Sequence, residues 1–232
     1  MKQHTIQKSL IKNFASDGMV KCVRKYDLSH EIKSPKETSY IEDFQSAENE
    51  KLDQLTEVKA IREIHQLRKG TITELDSAEI IDYWVAIHMA RSPRELSYFR
   101  DARIPYDRGR IVLIEHCLEE LRSYPHLWTL TRNEGQEYMV LPDHPVVRVA
   151  EEAMIFPLTP SVLLAYTKNE PTGYSFEGRT IFEAFNEVLF GFSQEYVYCH
   201  PEKHPNFREL RARFELRVTA TSVRSPLGIP KD

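Results

Sequence analysis

Cysteine is scarce in this chain: three residues in 232, at positions 22, 117 and 199, with no CxxC pair. So few, so widely spaced and odd in number, they do not form a disulfide framework; they fit free thiols in a reducing compartment. Long apolar runs are missing as well. SVLLAY, among the longest, is far too short to cross a bilayer. The opening MKQHTIQKSLIKNF holds no apolar core of signal-peptide length. The expected location is therefore the cytoplasm, with no membrane partner. There is no excess of positive charge either. Lys and Arg number 31 against 35 Asp and Glu, a net charge of −4, so no global field draws the chain to nucleic acid or acidic lipid. A Gly-rich phosphate loop, a GxSxG elbow and an HExxH pair are all absent, which removes the common nucleotide-binding and hydrolase signatures. No internal repeat or low-complexity segment occurs.

What is present is the composition of an ordinary globular protein, 41% hydrophobic and 28% charged. The length predicts a single domain over residues 1–232. GMVKCVRKY follows the turn at Asp17-Gly18 and predicts a strand. Residues 27–50 are polar and predict a surface segment. KLDQLTEVKAIREIHQLRK, residues 51–69, repeats Leu52, Leu55, Val58, Ile61, Ile64 and Leu67 every three positions and predicts an amphipathic helix stopped by Gly70. Further helices are expected from Asp76 or Ser77 to Ala90, after Ser92, and over RGRIVLIEHCLEELRSY. HLWTLTR and QEYMVLP then predict a hairpin around Asn133-Glu134-Gly135. MIFPLTP and SVLLAYT add short apolar strands, FEAFNEVLFGFSQEY a helix, EYVYC a strand, and NFRELRARFELR a last helix. The fold class expected is α+β: a helical part over about 51–124, and a mainly antiparallel sheet over about 125–200, joined by the N-terminal strand and covered by one or two helices. A terminal helix over about 205–217 completes it.

IHMARSPRE, residues 87–95, marks the junction of two of these helices. Ser92 is a capping residue, Pro93 suits the first helical position, and Glu95 completes a capping box. His88 and Arg91 close the apolar face of the preceding helix. Arg91 there either complements the helix dipole or holds a guanidinium ready for a carboxylate or phosphate.

Several short motifs, in order, resemble an uncharacterised, mostly bacterial family catalogued as domain of unknown function 4238. They are His4-Thr5-Ile6-Gln7 with Leu10 and Phe14, Glu57 in QLTEVKAI, and Arg91-Ser92-Pro93. Trp128-Thr129-Leu130, Asp143-His144-Pro145-Val146, Phe156-Pro157-Leu158-Thr159-Pro160 and Asn186 follow. The likeness runs from about residue 4 to 199. Pro142 stands where the family has a serine and His144 where it has an asparagine, so no role is carried over for that hydroxyl. The resemblance implies no reaction. Its association with accessory bacterial genes points to a defence or toxin component.

His4, Glu57, Arg91, Asp143 and Asn186 are the candidate site. Brought together, they would supply a base, two carboxylates, a fixed cation and an amide, a set suited to hydrolysis of a phosphodiester or nucleic-acid-like substrate. His4 or Asp143 would be the base and Arg91 the charge stabiliser. Glu57 would orient Arg91 or serve as ligand to a divalent metal; the sequence specifies no cofactor beyond that option. The alternative expectation is a non-catalytic module that captures an anionic ligand or a partner protein through Arg91. A second copy of the chain is a further partner the sequence leaves open. Against a site stand simpler roles: Asp143 as a turn-former and His4 as a solvated terminal residue.

CHPEKH, residues 199–204, puts Cys199, His200 and His204 close together. Pro201 and Pro205 break any helix there, so a polar loop is favoured over a zinc site. Arg91, Arg94, Arg100, Arg103, Arg108 and Arg110 form one arginine cluster, and Arg208, Arg211, Arg213, Arg217 and Arg224 another. Interleaved acids favour solvated, ion-paired helix faces over a nucleic-acid surface.

Overall fold

The computed structural model describes residues 2–42, 44–69, 78–122, 127–132, 138–150, 153–167 and 181–223. Two apolar strands organise the chain. β8 (Ala153–Thr159) is buried at every position, as a strand covered on both faces must be. Its alternation separates two cores. Met154, Phe156 and Leu158 face one, while Ile155 faces the other. β9 (Val162–Thr167) follows the same rule, with Val162, Leu164 and Tyr166 on the first side and Leu163 on the second. Both belong to a four-stranded antiparallel sheet of order β5-β9-β8-β7, with β5 at Leu127–Arg132 and β7 at Val147–Ala150.

The first core is filled from the N-terminal segment and the helical region. Ile6, Leu10, Ile11 and Phe14 enter it, the middle two from α1 (Lys8–Lys12). From α3 (Ala78–Ala90) come Ile81, Trp84 and Val85. Trp84 stacks on Phe156 with centroids 4.7 Å apart. Each fully buried side chain of this size contributes about 1.5–3 kcal/mol. α5 (Tyr106–Arg122) packs beside α3 and adds Leu121. The second core takes Phe182, Phe185, Leu189 and Phe190 from α6 (Ile181–Phe192), at helical spacing, and Phe207 and Leu210 from α7 (Phe207–Val223). It is closed by a second four-stranded sheet, β3-β2-β10-β6 (His30–Lys33, Val20–Arg24, Tyr196–Cys199 and Leu141–Pro142). A ribbon of β1 (Lys2–His4) against β4 (Tyr40–Glu42) completes the strands among the described residues.

The α+β class expected from the sequence holds, with two four-stranded antiparallel sheets and a ribbon where one sheet was anticipated. One local expectation is filled in and another changes. Residues 27–50, read as a surface segment, are mostly exposed where described, and contain β3, β4, a 3-10 turn over Pro35–Glu37 and the start of α2 (Ala47–Lys69). The hairpin anticipated around residues 133–135, which lie outside the described residues, is not formed by its two arms. β5 pairs with β9, and β6 pairs with β10. Partners distant in sequence satisfy these edges better than the neighbouring arm.

α2 (Ala47–Lys69) departs most from its pattern. Leu52, Leu55 and Val58 are 54, 55 and 58% exposed, whereas Asp53 and Glu57 are 1 and 6% exposed. Ala60 and Ile64 supply its apolar contact with the first core. The helix is turned toward the core by its acids rather than its leucines, and the cause is two arginines.

Candidate functional site

Arg91 lies one residue past the end of α3, its N–H donating to the Ile87 carbonyl at 3.0 Å. Ser92 then caps α4 (Pro93–Asp101), its hydroxyl accepting from the Glu95 N–H at 3.3 Å, as the Ser-Pro-x-Glu pattern requires. This junction aims the guanidinium at α2. Nη1 donates to Glu57 Oε1 at 3.0 Å; Nη2 donates to Asp53 Oδ2 at 2.6 Å and Glu50 Oε2 at 3.3 Å. Arg110, on α5, donates to the other oxygen of Asp53. Glu50, Asp53 and Glu57 are spaced i, i+3 and i+7, which places all three on one face of α2. Gln45 covers the open side, donating to Glu50 at 2.5 Å, and is itself held by Gln3.

Burial drives the electrostatics. It pushes the Glu57 carboxyl up to about 7; Arg91 pulls it down, and Asp53 and Glu50 add to the rise. Burial would lower Arg91, but Asp53, Glu57 and Glu50 outweigh it and raise the guanidinium. His4 is near enough for the charges of Glu50 and Arg91 to act on its ring. Its pKa is lowered, first by burial, against the bond between Nδ1 and the Thr38 carbonyl at 3.0 Å.

The structure joins Glu57 to Arg91 directly, ties His4 to the Thr38 carbonyl, and engages Asp143 and Asn186 in backbone contacts of their own. Asp143 accepts from the backbone N–H groups of Gln194 at 2.8 Å, Glu195 at 2.6 Å and Tyr196 at 2.9 Å, clipping β6 to the turn before β10. Asn186 accepts from Val140 N–H and donates to the Tyr138 carbonyl, both at 3.0 Å, and so ties α6 to the segment entering β6. Sequence reasoning missed Glu50, Asp53 and Arg110. Arg110 was grouped with solvated arginines, yet it is buried. The signal available was the acid spacing 50, 53 and 57 inside an otherwise apolar repeat. These carboxylates point at guanidiniums. Among the described residues no group of three or more His, Cys, Asp or Glu is placed to hold a metal ion.

His88 is a core residue. Its ring packs 5.1 Å from both Trp84 and Phe156, Nδ1 bonds the Trp84 carbonyl at 3.0 Å, and burial pushes it down to about 3. The CHPEKH segment is likewise committed. Cys199 Sγ donates to the Lys21 carbonyl, His200 Nδ1 accepts from Glu202 and Lys203 N–H, and His204 sits between Lys21 Nζ and the Pro205 carbonyl. In the second arginine cluster, Arg211 pairs with Glu215 and Arg213 with Glu209, one helical turn apart, as expected.

The Arg91-Ser92-Pro93 and Asp143-His144 motifs do meet, through neighbours of the residues singled out. Ser92, Arg94 and His144 line a cleft of about 290 Å³ together with Glu95, Cys117, Arg148 and Gln194. Pro93 and Asp143 line a groove of about 330 Å³ on the other side, and Gln194 borders both. Arg94 is exposed and makes no ion pair among the described residues. His144 Nδ1 is buried with no hydrogen-bond partner among the described residues. Burial, aided by Arg94, pushes this ring down to about 4, so it is neutral at physiological pH. Cys117 is held as a thiol, its pKa pushed up to about 11 by burial. Arg148 pairs with Glu120. Comparison with protein-family models, with curated proteins and with solved structures gives no match to this chain.

Proposed function

We propose that the protein binds an anionic ligand, bearing a phosphate or carboxylate, in the cleft between α4, α5 and β7. One observation carries this reading. An arginine with no ion pair among the described residues, Arg94, and His144, whose buried Nδ1 has no hydrogen-bond partner among them, line the same cleft. A buried polar atom left unpaired costs about 1–3 kcal/mol, and an oxyanion that draws the ring toward the cleft and accepts from Nδ1–H removes that cost. The first turn of α4 forms part of the wall, and a helix N-terminus favours negative charge.

This moves anion capture from Arg91, whose two terminal nitrogens are occupied by carboxylates, to Arg94. Binding is favoured over hydrolysis in the cleft because none of its groups is an activated nucleophile. The Cys117 thiol is protonated, and among the described residues no base is hydrogen-bonded to the Ser92 hydroxyl, which caps α4. The hydrolase reading rests instead on Glu57, whose carboxyl is poised near neutrality beside Arg91. The three unpaired, buried cysteines support a reducing, cytoplasmic setting.

Calorimetric titration with inorganic phosphate and with acetate tests the proposal. Saturable binding of either anion is expected, weakened roughly tenfold or more by Arg94→Ala. In NMR titrations the ligand should raise the His144 pKa. No binding of either anion up to the solubility limit defeats the reading.

A further inference from the structure

The cleft and the groove share Gln194 and take adjacent residues of the same segments, Ser92 and Arg94 against Pro93 and His144 against Asp143, and their linings differ in kind. The cleft carries Arg94 and Arg148 against Glu95. The groove carries Glu37, Asp143 and Glu195 against Lys33, and Lys33 is held by Glu31 at 2.5 Å. An anion is therefore repelled from the groove and directed to the cleft. What the groove offers instead is aromatic surface. Tyr40 is 37% exposed and Tyr196 is half-buried, and both line it.

Resting on the anion-binding reading above, we infer that the ligand is bipartite: a phosphate in the cleft joined to a neutral planar ring in the groove, the chemistry of a nucleoside monophosphate. The ring stacks on Tyr40, a contact open to any base because every base has a π-face. The linker passes Gln194, whose exposed side chain borders both cavities. The wall beneath it is rigid, since Asp143 takes three backbone N–H groups from residues 194–196. Each cavity alone, near 300 Å³, is at the lower end for a small-molecule site, and the two together suit a ligand of nucleotide size.

The experiment is calorimetric titration of the full chain with inorganic phosphate and with adenosine 5′-monophosphate. The nucleotide should bind about tenfold or more tighter than phosphate. Tyr40→Ala should remove that gain and leave phosphate affinity unchanged. Phosphate binding without any gain from the nucleoside overturns the inference while the anion-binding reading stands. A gain that survives both Tyr40→Ala and Gln194→Ala overturns it too, because the ring then lies outside the groove. Absence of phosphate binding defeats both readings together. The comparison of the two ligands on the unaltered protein decides the question even where Tyr40→Ala does not fold.

Discussion

Arg91 is the residue on which most of the buried charge depends. It meets Glu50, Asp53 and Glu57 at once, and only Glu50 among them has a side chain more than a tenth exposed. Removing one partner of a buried ion pair costs about 3–5 kcal/mol, chiefly because the stranded charges stay buried. Arg91→Ala should therefore lower the melting temperature by roughly 10 °C for a chain of this size, read by calorimetry. Glu57 gives a prediction of the opposite kind. Its folded pKa of about 7 lies above its ordinary value of 4.5, so the protonated form is favoured by folding. The stability it contributes is present in full below about pH 4.5 and is lost as pH rises through 7, by an amount on the order of 3 kcal/mol. Glu57→Gln, a neutral isostere, should flatten this part of the pH profile in urea unfolding. An unchanged slope would remove Glu57 as its source.

At the scale of elements, α2 separates what a periodic sequence can say from what it cannot. The helix itself is legible, and so is the junction at Ser92-Pro93, because helical period and capping are local properties. Which face turns inward is not local. A stripe of leucines and valine reads as the buried face, and two arginines, one just past α3 and one on α5, overrule it by offering partners to Asp53 and Glu57. Leu55→Ser should change stability by no more than about 0.5 kcal/mol, whereas Ile64→Ala should cost about 2–5 kcal/mol. Denaturant midpoints of the two variants check the orientation of the helix. The same limit explains the misread hairpin. Pairing of β5 with β9 and of β6 with β10 joins residues far apart in the chain, and no short-range pattern encodes it. At the site, the role of Glu57 as the partner orienting Arg91 was legible. Asp53 and Arg110 were not, since a charged residue on a helix reads as solvated until its partner is placed opposite.

On the scale of the whole molecule, the sheet containing β8 and β9 has one core on each face, and the loss of either core exposes it. Amides of β8 and β9 should be the slowest to exchange with deuterium, slower than those of the β1–β4 ribbon. The N-terminal segment depends on the same sheet. Ile6, Leu10, Ile11 and Phe14 are buried in the core that Met154, Phe156, Leu164 and Tyr166 complete. On the ribosome, those early residues emerge about 150 positions before the strands that cover them. At roughly 5–20 residues per second this leaves the opening segment uncovered for about 7–30 s, and Trp84 for about half as long. Newly made chains interrupted before residue 153 should therefore be held by chaperones or aggregate, whereas chains extended past residue 167 have both strands in hand to close that core.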